Sequence, residues 1–197
     1  MSDVHDISRR EFVNRFSLLS ALAAAWPAEA LAVLRAAAGP LPDWVDQEPW
    51  RTLVEVQEHL FPATKDGPGA RDIRAIVYLR NYLEQPRRDA EMKNFILGRV
   101  AALNGLARER QGGDFATLDF GAREALLHGI ADDGAWQRWL SRLVTFLLEA
   151  LLADPVYGGN PDGVGWTWLQ HQPGFPTPPP GKRWYELGAP VYFQRKP

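Results

Sequence analysis

Three histidines are the residues best suited to chemistry in this chain, and their surroundings decide how far that goes. His59 lies one helical turn after Glu55 and directly after Glu58, and imidazole with carboxylate is a pairing that binds divalent metals. The same pairing also describes an ordinary solvated or capped helix face. His128 falls at the end of a short helical stretch, where an imidazolium complements the helix dipole. His171 has no carboxylate or nucleophile beside it. Convergence of His59, His128 and His171 in space would make an exported all-α metal-dependent enzyme, one reading to carry forward. Other chemistries lack their residues. The chain has no cysteine, which excludes disulfides, thiolate metal ligation and c-type haem attachment. It has no serine elbow, and Gly158-Gly159 has neither the strand before it nor the helix after it that a phosphate loop needs.

The elements that would position these residues read as helices. Pro49 suits the first turn of one, with Leu53, Val56, Leu60 and Phe61 at helical spacing up to Pro62. Ala63 to Gly69 is dense in turn residues. A second helix is expected from about Ala70 to Leu83, burying Ile73, Ile76, Val77, Tyr78 and Leu83. After Pro86 a third carries Phe95, Ile96, Val100, Leu103 and Leu106, and Gly112-Gly113 supplies a left-handed stop. Asp119 is an N-cap for a fourth through Leu126, Leu127 and Ile130. The fifth, Ala135 to Ala153, has an apolar stripe from Trp136 to Leu152 too wide to bury against one neighbour. It belongs at the centre of a bundle, or between the bundle and a partner. The fold class is therefore all-α: a small bundle of about five helices, with an irregular tail rich in Gly, Pro and aromatic residues.

That tail begins at Asp154, where Pro155 forces the preceding residue out of helical geometry. Residues 154 to 168 contain four glycines, two tryptophans and a tyrosine, so the backbone can turn sharply while its aromatics need cover. Trp166 and Trp168 would face the same way if extended. Pro173, Pro176 and Pro178 to Pro180 favour a pre-ordered polyproline shape, and Trp184, Tyr185, Tyr192 and Phe193 follow. Two readings stand. The segment folds back on its own bundle, or it is buried on another protein, for which Trp and Tyr are the favoured residues.

The N-terminus carries Ser8-Arg9-Arg10-Glu11-Phe12-Val13, then an uncharged run from Phe16 to Ala28. Paired arginines, an apolar Phe12 and a modest hydrophobic core make an address for the twin-arginine translocase, which carries folded cargo. The competing reading is an amphipathic helix with solvated arginines. Thirteen residues at about 1.5 Å each reach roughly 20 Å, short of the roughly 30 Å of a membrane interior. Ala30-Leu31-Ala32 and Ala36-Ala37-Ala38 both have the small-residue pattern of a cleavage site. Apolar character resumes after Glu29 up to Leu34, which keeps an uncleaved signal anchor open; cleavage after Ala32 is the first choice, dividing the chain into a signal region 1–32, a helical domain 33–153 and a tail 154–197. Residues 1–32 hold four acids and three arginines, so their loss moves the net charge from -2 to -1. Near neutrality argues against a nucleic-acid partner.

The run Asp154-Pro155-Val156-Tyr157-Gly158-Gly159-Asn160, followed by Gly165-Trp166, closely resembles the hallmark of the gluconate 2-dehydrogenase subunit 3 family. Leu60-Phe61-Pro62-Ala63-Thr64 and Gly67-Pro68-Gly69-Ala70 look like the family's earlier motif, and Pro173-Gly174-Phe175 is similar to the Pro-Gly pair after its tryptophan. The likeness runs from about Trp50 to Pro176. Thr167 to Gln172 intervenes where the family often inserts little.

The resemblance implies a non-catalytic small subunit of a periplasmic or membrane-associated dehydrogenase for sugars, sugar acids or polyols. It implies no cofactor in this chain. FAD would sit on a large partner flavoprotein of the glucose-methanol-choline type, and haem c on a multihaem cytochrome c completing the complex. The small subunit would stabilise the flavoprotein and lend it the export signal, Arg9, Arg10 and Phe12. Asp154, Pro155, Tyr157, Gly158, Gly159, Asn160, Gly165, Trp166 and Trp168 are the expected partner interface. The location implied is the periplasm, with attachment to the inner membrane through the complex. The rival to the complex, besides the metal enzyme, is a free-standing cell-envelope binding module.

Overall fold

A computed structural model describes residues 39–85, 90–174 and Gly181. The residues read in sequence as an export signal, Arg9, Arg10 and Phe12, and also Pro86, Phe175, Pro176, Pro178 to Pro180, Trp184, Tyr185, Tyr192 and Phe193 lie outside the described residues.

Among the described residues there are six α-helices and no strand. We name them α1 (Trp50–Leu60), α2 (Ala75–Leu83), α3 (Ala90–Gln111), α4 (Phe120–Ile130), α5 (Gly134–Leu152) and α6 (Val164–Trp168). The first five are those expected from the apolar spacing. The Pro49 carbonyl accepts from Leu53 N at 3.2 Å, so proline does start α1. Gly112 takes φ +79° where α3 ends. Asp119 caps α4, its carboxylate accepting from Ala122 N at 2.8 Å. Asp133 caps α5 in the same way, accepting from Ala135 N at 2.9 Å and Trp136 N at 3.1 Å.

The second helix is shorter than its sequence indicates. Residues 70–74 form hydrogen-bonded turns, and Arg74 sits at φ +52° and ψ +40°, so α2 starts only at Ala75. A non-glycine side chain in that left-handed region interrupts a right-handed helix. Ile73 is nonetheless fully buried, as its apolar character requires.

α5 is the central helix and packs on α1, α2, α3 and α6. The main core gathers Leu53 and Val56 of α1, Ile76 and Leu79 of α2, Ile96, Val100 and Leu103 of α3, Leu126 of α4, and Trp139, Leu143 and Phe146 of α5. Fully buried Trp139 satisfies its indole N–H on the Ile96 carbonyl at 3.1 Å. A second, smaller core lies where α5 ends: Ala70, Ile73, Ala75, Leu147, Ala150, Leu151, Val164 and Trp168.

One buried polar junction crosses the main core. Asn104 Oδ1 accepts from Phe115 N at 2.9 Å, and its Nδ2 donates to Thr52 Oγ1 at 3.0 Å. Replacing it by an apolar residue leaves a buried N–H and a buried hydroxyl without that partner, which costs about 1–3 kcal/mol. Asn104→Leu is therefore expected to lower the urea midpoint with unchanged slope. A midpoint equal to that of the unaltered chain would show the junction to be dispensable.

Candidate functional site

The blocks that carry the family resemblance are far apart in sequence and meet at the second core. The centre of the meeting is Asn160, which is 0% exposed and adopts φ +50°, a left-handed conformation asparagine tolerates. Its N–H donates to the Ile73 carbonyl at 2.9 Å, ahead of α2, and its carbonyl accepts from Gly163 N at 3.0 Å. Its Nδ2 donates to the Ala153 carbonyl at 3.0 Å, and its Oδ1 accepts from Gly165 N at 2.6 Å. One side chain thus ties the end of α5 to the start of α6, while its backbone holds both to the entrance of α2.

The flanking glycines are there because backbones touch. A Cβ on Gly159 would lie 2.9 Å from the Ala150 carbonyl oxygen, and one on Gly165 only 2.1 Å from that of Leu151. No methyl group fits at the second distance without moving a backbone. Gly158, at φ +93°, presents the Tyr157 carbonyl to Asn81 Nδ2 at 3.1 Å. At the start of the turn, Asp154 Oδ1 accepts from Val156 N at 2.9 Å, with Pro155 in the first helical position.

The tryptophans finish the closure. The last carbonyls of a helix lack intrahelical partners, and Trp166 Nε1 takes that of Leu152 at 2.8 Å. Trp168 Nε1 donates to the Asp66 carbonyl at 2.8 Å, its ring lies against Gly67, and Phe61 meets it edge-on at 6.2 Å. Residues 164–168 are thus helical rather than extended, and the two indoles serve different carbonyls. Asn160, Gly159, Gly165 and Trp168 face inward, within this chain. Asp154, Pro155, Gly158 and Trp166 are half-buried.

Outward, Asp162 and Thr167 are polar, while Val156 and Tyr157 are apolar. Tyr157 is 55% exposed and Val156 64%, and toward the end of α5 Leu152 is 46% and Leu148 39% exposed. Leu148 and Leu152 are one turn apart, so they share a face. The solvent side of α5 is polar at Gln137, Arg138, Ser141 and Arg142 and becomes apolar only toward its end. The sequence reading assigned Tyr157 to an interface and did not single out Val156, Leu148 or Leu152. The excess width of the α5 stripe was the signal for the two leucines.

The histidine reading meets occupied carboxylates. Glu55 accepts from Arg71 Nη2 at 2.5 Å and pairs with Arg123, while Glu58 Oε2 accepts from Arg71 N at 3.2 Å. His59 packs its ring on Phe120 with centroids 4.3 Å apart, and its Nε2 is buried without a partner. His128 is exposed and lies 3.8 Å from Glu124, and His171 is exposed on the tail. Among the described residues no group of three or more His, Asp or Glu is placed to hold a metal ion.

An all-α module whose signature residues fasten its own end, with large apolar side chains left exposed, is what the fold and this region define. The family model described as gluconate 2-dehydrogenase subunit 3 matches residues 47–174, and the chain belongs to that family. Neither a curated protein nor a solved structure matches it.

Two outcomes follow from the geometry. Asn160→Ala removes two side-chain hydrogen bonds and leaves the Gly165 N–H buried without its acceptor, so a loss of about 2–4 kcal/mol is expected in chemical denaturation. Asn160→Ala with the stability of the unaltered chain would show that the tail does not hold the bundle. Burial, opposed by Glu124, lowers the pKa of His59 below its ordinary value, while Arg123 lowers it further, Glu55 raises it and His128 lowers it. The unfolded chain then binds that proton first as pH falls. The stability given by neutral His59 is present above about pH 6.5 and drains away as pH drops through the folded pKa. His59→Phe keeps the ring against Phe120 and should flatten the fall in Tm between pH 7 and 5; an undiminished fall would assign it to other groups.

Proposed function

We propose that this chain is the non-catalytic accessory subunit of an exported flavin-dependent dehydrogenase of the gluconate 2-dehydrogenase type, acting on a sugar, sugar acid or polyol. Its tasks are to stabilise the large glucose-methanol-choline type flavoprotein and to supply the twin-arginine signal, Arg9, Arg10 and Phe12, on which both cross. FAD belongs to that partner, and haem c to a multihaem cytochrome c where one completes the complex. The periplasm is the destination. The observation that carries the reading is the family match over residues 47–174. In support, the described chain spends its motif residues on its own closure and leaves Leu148, Leu152, Val156 and Tyr157 uncovered. Large aromatics set among such residues are the side chains whose truncation weakens a protein interface most.

Affinity purification of the tagged chain from its native host tests the association, with a yellow flavoprotein expected in the eluate. Tyr157→Ala is expected to weaken that association by about 2 kcal/mol, roughly 30-fold in Kd. The same change should leave the stability of the isolated chain within about 0.5 kcal/mol, since the side chain is exposed. Undiminished co-purification would remove Tyr157 as the contact. Replacing both Arg9 and Arg10 by Lys should strand dehydrogenase activity in the cytoplasm. Unchanged periplasmic activity would defeat shared export.

A further inference from the structure

Two buried donors beside residues 39–42 are unmatched. Arg74 Nε and Gln57 Nε2 are both shielded from solvent without a hydrogen-bond partner, and Gln57 is only 1% exposed. Each adjoins the strap of chain that leads into the bundle. Gln57 shares a crevice with Leu41 of the strap and Ile76 of α2, and the crevice has no room for a water molecule. Arg74 Nη2 donates to the Pro40 carbonyl at 2.7 Å. At the outer end of the strap Gly39 and Pro40 are exposed and Leu41 is half-buried, whereas from Pro42 on the chain is fastened: Val45 N closes onto the Pro42 carbonyl at 3.0 Å, and Val45 is buried in the core.

The Nε–H and Nη2–H of an arginine run side by side, a fork that fits the two oxygens of one carboxylate. The Pro40 carbonyl engages one prong and leaves the other bare. Bonds to a carboxylate are roughly twice as strong as neutral ones, and Arg74 makes no ion pair among the described residues, unlike Arg71, which holds Glu55. Gln57 Nε2 gains an acceptor only when a wall of its crevice moves, and the wall with least holding it is Leu41, next to Pro40. One event therefore serves both donors. We infer that Arg74 and Gln57 form a receptor for an acidic segment of the flavoprotein: an Asp or Glu carboxylate takes the Arg74 fork in place of the Pro40 carbonyl, and as Gly39 to Leu41 swing out a backbone carbonyl of that segment reaches Gln57. This rests on the accessory-subunit reading above and gives its partner a chemistry. The position agrees with that reading. Ile73, just before Arg74, holds Asn160, and Asn81, which holds the Tyr157 carbonyl, is farther along α2. From Ala75 to Asn81 is about 9 Å at helical rise, so the fork and the Tyr157 turn fit within the about 800 Å² that one partner commonly covers.

Two measurements on each variant test this: the Kd for the FAD-loaded flavoprotein and the Tm of the chain alone. Arg74→Lys keeps the charge and costs the backbone no more at φ +52°, but an ammonium group lacks the fork. Binding is expected to weaken about tenfold, with the Tm of the lone chain little changed. Gln57→Leu removes the unmatched donor from an apolar wall, so the lone chain is expected to melt higher while binding weakens. Those opposite signs are ones that a residue with a merely structural role does not give. Either variant binding as tightly as the unaltered chain overturns the receptor, as does Gln57→Leu melting lower. So does D-gluconate, added without the flavoprotein, if it raises the Tm of the unaltered chain and not that of Arg74→Lys, because the fork then belongs to a free sugar acid. In all of these cases the unaltered chain still captures the flavoprotein and the accessory reading stands. An unaltered chain that captures none removes that reading, and this inference with it.

Discussion

The closure made by Asn160 is the interaction on which the rest of the described structure depends. The amide is fully buried, its Nδ2 and Oδ1 are both engaged, and its own N–H and C=O are bonded as well. A buried polar group is tolerable only when its hydrogen bonds are made, so this residue fixes three pieces of backbone at once. The end of α5 cannot fray without releasing the Ala153 carbonyl, and α6 cannot shift without losing the Gly165 N–H. The close passes at Gly159 and Gly165 are possible only because those positions have no side chain. Small residues, a left-handed asparagine and two indole donors therefore act as one unit.

That arrangement bears on function by separating two jobs within one motif. Side chains that would be expensive to move, Asn160 and Trp168, look inward and define the shape of the end of the bundle. Tyr157 and Val156, in the turn they hold, look outward, as Leu148 and Leu152 do on α5. A side chain exposed on a turn whose backbone is already fixed pays little ordering cost on being covered. The acidic side chains near His59 are bound instead by Arg71 and Arg123, joining α1 to the 70–74 turn and α4.

Much of this fold was legible in sequence because helix signals are local. The spacing of Leu53, Val56 and Leu60, the glycine at 112 and the cap at Asp119 each act within a few residues, and each falls where it was expected. The start of α2 did not, since nothing local forbids Ala70 to Arg74 from continuing a helix. Arg74 takes its left-handed conformation alongside a hydrogen bond to Pro40, 34 residues earlier. The tail shows the same division. Its glycines and aromatics said that the chain turns and needs cover, but the provider of that cover was open between the bundle and another protein. For Asn160, Gly165 and Trp168 the cover is the bundle.

By itself the sequence determined an all-α class, the positions of five helices, the likeness to one family, and the lack of cysteine chemistry. These follow from composition and from contacts between residues three or four apart, which a linear pattern records directly. Only the tertiary structure decided which motif residues lock the chain and which are presented, that Glu55 and Glu58 are engaged by arginines beside His59, and that Pro40 is held by Arg74. Those outcomes depend on pairings between residues up to 102 apart, as in Trp168 with Asp66. A pairing of that kind leaves no periodic trace, because its geometry exists only once the intervening helices have packed.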